Sequence, residues 1–443
     1  MSRKTVIICV LLLFASGLLS GIANAEKMNL VIKSYVITKT GTYTPHTPIR
    51  INNDTDPLWA SYPGRTISGY DINGTGYGPC IFIGNCSQLF TVQNCFVHNA
   101  TGNYSSEYYY STGIYLYNCS NGTIRYNNCS GTSDGVGVSY SINTIIWRNN
   151  CTKNTDGIIV YTSSNITVDE NDCQQNYNGI FALIVTNSTF TNNTLDYNQM
   201  RGIHLDKSNW NAVTRNHCFN NYYGISMSSC LNTSVLSNNC SYNHHGIYTI
   251  VDSENNLYQD NSIFSNSFVG FTLTFSRNCR IINNTFYNNN YRGIYFERAV
   301  RFIVVCNNIS HTSKYGLEIF SWDSRYNRIY YNRFINNNGG LGSQAYEHEN
   351  TSFWNASYPY GGNFWNDWIS PDVKSGPSQN QAGSDGIVDQ PYQIDGPATP
   401  KDYYPLVWTH PSVPEPHPPS LVLILMVLLG LTCIVRRNKD RFA

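Results

Sequence analysis

Apolar and polar residues alternate along this chain in short bursts, and the bursts keep time with a glycine. Glycines followed by an apolar residue, at Gly113, Gly135, Gly157, Gly179, Gly202, Gly224, Gly246, Gly270, Gly293, Gly316 and Gly340, lie 22 to 24 residues apart. The first and third positions after each glycine are mostly apolar, as in Ile158 and Val160, Ile203 and Leu205, Phe271 and Leu273, or Leu317 and Ile319. Period two predicts that these side chains turn inward and their alternates outward. One repeat reads Gly157-Ile158-Ile159-Val160, Asn165-Ile166-Thr167-Val168 and Asn171-Asp172-Cys173, closing at Asn176. This fits three short strands and three turns, with no helical period between them. A repeat of this length predicts a solenoid whose stacked coils complete one another's core.

Two asparagine columns fix the register. Asn127, Asn149, Asn171, Asn193, Asn216, Asn238, Asn284 and Asn307 lie 14 residues after their glycine, and Asn154, Asn176, Asn198, Asn221, Asn243 and Asn289 lie 19 after. Asparagine accepts left-handed backbone and bonds nearby amides. Stacked at the strand spacing of about 4.8 Å, each such side chain can also bond its copy one coil away.

With these columns the chain resembles the right-handed parallel β-helix proteins, in particular the NosD-like set, also described as carbohydrate-binding and sugar-hydrolase repeats. The resemblance covers residues 80–406. It rests further on Gly362-Asn363-Phe364-Trp365-Asn366-Asp367-Trp368, on Asp385-Gly386-Ile387-Val388-Asp389-Gln390-Pro391-Tyr392 and on Asp402-Tyr403-Tyr404-Pro405-Leu406, a stretch similar to the ending of NosD-like repeat regions. Val388 departs from it, standing where the family has a second glycine. The resemblance implies an all-β, right-handed parallel β-helix of about 11 to 12 coils, three strands each, over 80–340, with the last coil and a cap over 341–408. Residues 26–79 match no known pattern and form an N-terminal segment and candidate cap.

The ends of the chain speak about location. Arg3 and Lys4, an apolar run from Val6 to Leu19 and Ala23-Asn24-Ala25 predict a signal peptide over 1–25 and an exported protein. A proline-rich linker over 409–420, an apolar run over 421–435 and a basic tail over 436–443 predict a cell-surface anchor with a cytoplasmic tail. The run falls short of the ~20 residues of an ordinary membrane span. Val413-Pro414-Glu415-Pro416, the apolar run and Arg436-Arg437 together resemble the tails cut by exosortase-type and archaeosortase-type enzymes.

Composition narrows the partner. With 28 basic and 28 acidic residues, the chain has no basic stripe to neutralise phosphates, which excludes nucleic acid. A surface rich in Tyr, Asn, Ser and Thr suits an extracellular glycan or another cell-surface component. Cys129, Cys151, Cys173, Cys218 and Cys240 all lie 16 residues after their glycine, so they are either bridged or a ladder of buried thiols. Leu195, Phe286 and Ile309 fill the same column elsewhere and favour buried thiols. No C-x-x-C pair supports zinc. The resemblance also implies a role in metal-site maturation, of copper in particular, but His204, His217, His244 and His245 lie at different offsets and give no converging ligand set.

Sequons at Asn128, Asn150, Asn239 and Asn308 share one offset and those at Asn165, Asn187 and Asn232 another, predicting glycosylated stripes down the outside. The second and fourth positions after each glycine predict an outer face that is aromatic in patches. Tyr161, Phe181, Tyr248, Tyr295 and Phe320 are its candidate glycan-binding residues. Candidate catalytic groups are few. Glu297 and Glu318 sit on adjacent coils, about 8 Å apart by strand geometry, a carboxylate separation that inverting glycosidases use. His204 with Asp206 forms a second candidate, an oriented base facing outward. Asp367, Asp372, Asp385, Asp389, Asp395 and Asp402 near the carboxy end offer oxygen ligands for calcium without EF-hand spacing. Trp365, Trp368, Tyr392, Tyr403 and Tyr404 are expected to cover the last coil.

Overall fold

A computed structural model describes residues 42–101 and 111–407; the predicted signal peptide, linker, apolar run and basic tail lie outside the described residues. The strands stack into a parallel solenoid with three faces. The first sheet has thirteen strands, from Ile49–Ile51 to Ala345–Glu347, and the second has twelve, from Thr66–Ser68 to Arg328–Tyr330. The third face opens with four strands, from Thr44–His46 to Asn128–Cys129, and ends with seven, from His217–Phe219 to Phe364–Trp365. Single bridges through Asn150, Asp172 and Thr194 join the two parts. Residues 44–75, set apart in the sequence, supply the first strand of every face.

Asparagine ladders pin the coils together. The backbone N–H and the Nδ2 of Asn149 both donate to Asn171 Oδ1, at 2.9 and 3.0 Å, and Nδ2 also reaches the Ile124 carbonyl at 2.9 Å. The same pattern runs from Asn127 to Asn363, taking in Asn261, Asn332 and Asn363 beyond the column read from the sequence. Every buried amide along this corner thereby finds a partner, which a solenoid interior requires.

The glycine is there for close approach. A Cβ on Gly157 would lie 2.5 Å from the Gly179 carbonyl oxygen and 2.8 Å from Asn176 Nδ2. Gly340 is a correction to the sequence ruler. It sits in a short turn at φ +75° with open space around it, while Gln344 occupies the glycine's place, bonding Gly316 and bringing Ala345 opposite Leu317. Gln344 Oε1 also accepts from Asn337 N–H and Nδ2, at 2.9 and 3.1 Å, and so continues the second ladder.

Cys129, Cys151, Cys173, Cys218 and Cys240 are fully buried, unbridged thiols. The carboxy end is closed by stacking: Trp365 lies between Phe334 at 4.2 Å and Tyr392 at 4.0 Å. Asp402, beneath them, accepts from Asn363 N–H, Trp365 Nε1 and Tyr404 N–H at 2.7, 3.0 and 3.1 Å. Trp368 packs edge-on against Tyr392, whereas Tyr403 stays exposed.

Candidate functional site

Strand alternation breaks at each glycine of the first sheet. Asp156 pairs with Asn178 and Ile158 with Ile180, leaving Gly157 without a partner. Its missing Cβ would point at Asn176 and Cys151, toward the interior, as Ile158 does. The residue before the glycine therefore joins the outer face. This adds a row to those at the second and fourth positions: Thr112, Asp134, Asp156, Asn178, Arg201, Tyr223, His245, Val269 and Arg292, all in register. A rule of strict alternation overlooks it.

The first half of that row is polar. Asp134 and Asp156 stand on adjacent coils, Asp134 Oδ2 accepting from Thr112 Oγ1 at 3.2 Å and Asp156 Oδ1 from Asn178 Nδ2 at 2.8 Å. Burial, then the neighbouring charge of Asp156, pushes the Asp134 carboxyl up to about 7. Burial raises Asp156 as well, against the Asn178 hydrogen bond and the Arg201 charge. His204 corrects the expectation of an exposed, oriented base. Its ring stacks on Phe181 at 5.2 Å, and its buried Nδ1 has no hydrogen-bond partner. Burial and then the Arg201 charge push its pKa down to about 3. A ring that stays neutral throughout the physiological range is a poor proton carrier.

The second half is aromatic. Tyr222, His244, Phe268 and Tyr291 occupy successive coils and stack at 4.5, 5.1 and 5.1 Å, within 21° of parallel. Beside this ribbon Tyr223 and Tyr248 approach to 4.6 Å, and His245, held neutral by burial with its pKa near 3, bonds Thr272 Oγ1 through Nδ1 at 3.0 Å. Arg292 continues it, its guanidinium 4.1 Å from the Tyr291 ring and 4.7 Å from that of Tyr295. Such contacts stabilise the cation, which occupies one face of each ring it lies over.

Glu318 is not free for acid–base work. It is 2% exposed, takes both prongs of Arg292 and lies 3.3 Å from Lys314 Nζ. The register sets it against Tyr295, two residues before Glu297, which is half-buried. A carboxylate locked under two cations cannot pair with Glu297 across a glycosidic bond. Tyr161, Phe181, Tyr248 and Tyr295 are half-buried on the outer face, and Phe320 is exposed beside Tyr295 at 6.2 Å. Asn150, Asn165 and Asn187 are exposed, while Asn232, Asn239 and Asn308 are half-buried. Asn128 departs from its stripe: it is buried and accepts from Ser130 Oγ.

The carboxy-terminal acids serve the protein itself. Asp372 accepts from Ser384 Oγ and Gly386 N–H, Asp389 from Val373 and Lys374 N–H, and Asp385 from Gln379 Nε2. Asp367 bonds Gln344 and Tyr392, and Asp395 accepts from Tyr315. Among the described residues no three His, Cys, Asp or Glu side chains stand together to hold a metal ion.

Residues 201–369 match the family model described as periplasmic copper-binding protein (NosD), and residues 79–240 match the right-handed β-helix region model. Among the described residues the copper in the first description finds no donor set: His204 is half-buried against Phe181, His245 is buried beside Tyr223, and the stacked thiols are sealed in the core. No curated protein sequence matches the chain. Among solved structures, the A-module of the Azotobacter vinelandii mannuronan C-5 epimerase AlgE4 is 14% identical with a TM-score of 0.50, over 68% of this chain and 96% of that one. A variant of the periplasmic alginate epimerase AlgG is 16% identical, also at 0.50, over 69% and 80%. At these identities the likeness is one of fold. The two family matches together span the stacked coils from residue 79 to residue 369, and the chain is a NosD-like right-handed parallel β-helix repeat protein.

Proposed function

We propose that this protein binds glycans, laying an extended polysaccharide along the outer face of its first sheet. The observation that carries the reading is the ribbon from Tyr222 to Tyr291 with Tyr248, Tyr295 and Arg292 beside it. The stacked rings present their edges as one apolar stripe on which the apolar faces of sugars can lie, and a few placed polar groups take their hydroxyls. Export belongs to the same proposal and is supported by the signal-like residues 1–25; retention at the cell surface is supported by the apolar run over 421–435.

A second reading, a polysaccharide-acting enzyme, is favoured by one observation. Asp134 and Asp156 are neighbouring carboxyls with raised pKa values on the same face, the arrangement by which one acid stays protonated near neutrality. The test is to incubate the purified protein with a glycan array and a panel of polysaccharides, recording both retention and release of reducing or unsaturated ends. Retention without product supports binding. Product that vanishes in Asp134→Asn would overturn that reading in favour of the enzyme.

A further inference from the structure

A second line of rings runs along another side of the solenoid. One corner residue per coil, just past the third-face strand, has left-handed backbone: Lys153, Gln175, Tyr197, Asn220, Tyr242 and, further on, His311, all with φ between 55° and 63°. Gln175, Tyr197, Asn220, Tyr242 and His311 are exposed there, and Lys153 is half-buried. Beside this column the strand ends Phe219, Phe264 and Tyr287 face out at successive or alternate coils. The two columns interleave, Tyr197 meeting Phe219 at 5.4 Å, Phe219 meeting Tyr242 at 5.2 Å, Tyr242 meeting Phe264 at 6.2 Å and Tyr287 meeting His311 at 5.3 Å. From Tyr197 to His311 is five coil steps, or about 24 Å.

Tyr197 also lines a surface hollow with Lys153, Asn154, Gln175 and Gln199, so the rings lead directly into a recess furnished with amides. Alongside, on the outer face of the same strands, the Oδ1 atoms of Asn239 and Asn308 are buried and have no hydrogen-bond partner. The track is one ring wide, carries little charge apart from Lys153, the half-buried Asp172 and the His217–Asp196 pair, and pairs apolar rings with amide donors and acceptors. A globular protein partner buries a broad patch. A narrow, straight, amide-edged track fits an uncharged polymer of sugars.

We infer that the third-face corner is a second glycan-binding track, for neutral polysaccharide, separate from the first sheet. The experiment is affinity electrophoresis of the full-length protein, made in a host that leaves its sequons bare, through gels containing dextran, mannan or β-1,3-glucan. Tyr242→Ser/Tyr287→Ser removes two exposed rings from the track, and Tyr248→Ala/Tyr295→Ala alters the first sheet; circular dichroism confirms that each variant is folded. The expected result is a loss of retardation of about threefold or more in the track variant on at least one glycan, with the first-sheet variant still retarded there. Track variants that migrate like the parent on all three glycans, or a parent that none of them retards, overturn the inference. Loss in the first-sheet variant alone, on every glycan that retards the parent, would overturn this inference and keep the first-sheet reading.

Discussion

Arg292 holds Glu318 by two bonds, Nη2 lying 2.9 Å from Oε1, while its own guanidinium lies over the Tyr291 and Tyr295 rings. The pair is nearly buried, the two side chains being 12% and 2% exposed. Its removal from one side leaves a charge stranded under the aromatic ribbon. Glu318→Ala is expected to destabilise the protein by about 3 kcal/mol, as breaking a buried pair does. Replacing both partners by apolar residues, Arg292→Met with Glu318→Leu, should recover most of that loss. Denaturant titrations of the three variants measure both effects; a single variant as stable as the parent would mean that the pair contributes nothing.

Binding on the first sheet makes a sharper demand. Tyr295→Ala removes one ring face while leaving the ion pair beneath it, and should weaken retention of any bound glycan by about three- to tenfold. Phe320→Ala, at the exposed margin, should weaken it less. Equal affinity of the Tyr295 variant and the parent on the array would count against this face.

Close approach at the glycines predicts a contrast between two chemically identical changes. Gly157→Ala drives a methyl against the Gly179 carbonyl and should cost about 1 to 3 kcal/mol as an overpacked core does. Gly340→Ala meets open space and pays only for its left-handed backbone, about 1 kcal/mol. Thermal melts of the two variants, compared with the parent, check the order.

Asp402 predicts a pH dependence with a definite sign. Burial lifts its carboxyl to about 7 from an ordinary 3.8, against the hydrogen bonds from Trp365, Asn363 and Tyr404 that favour the ion. Between those values the folded chain keeps a proton that the unfolded chain has lost, so this contribution is full below about pH 4 and declines as pH rises to 7. His204 and His245, depressed to about 3, run the other way up to their ordinary 6.5, so the difference between variant and parent is the informative quantity. Asp402→Asn should gain on the parent between pH 5 and pH 8 in denaturant midpoint; a constant difference would contradict the assignment.

Thiol chemistry tests the core. Of the twelve described cysteines, Cys306 is exposed and the rest are buried. Brief alkylation of the native protein, mapped by mass spectrometry, should mark Cys306 and leave the Cys129, Cys151 and Cys173 column untouched until denaturant is added.

The fold was legible because a solenoid repeats its errors as well as its rules: a glycine or asparagine at one offset in eight coils cannot be accidental. What escaped the sequence was local. The first coil lacks the glycine signal, so the strands within 44–75 left no mark in the repeat. Asp134, Asp156 and Arg292 escape a rule of strict alternation because the inward side of the strand falls on both the glycine and the residue after it, which turns the glycine's predecessor outward. Glu318 and His204 were placed on the correct row, yet direction is not exposure. Arg292, 26 residues upstream, covers one, and Phe181 on the preceding coil covers the other. Such shielding comes from neighbours one coil away, which alternation within a strand does not encode.

Because the asparagine ladders bond each coil only to the coils directly before and after it, a coil is a removable cassette. Excising residues 157–178 would delete one full period, rejoin Asp156 to Gly179 and bring Arg201 into the place of Asn178 beside Asp156. The protein would be shorter by about 4.8 Å and otherwise keep its cross-section. Repeat number thus works as a measuring rod, by which the reach of the outer faces can be lengthened or trimmed through duplication and deletion with side-chain contacts changing only at the new junction.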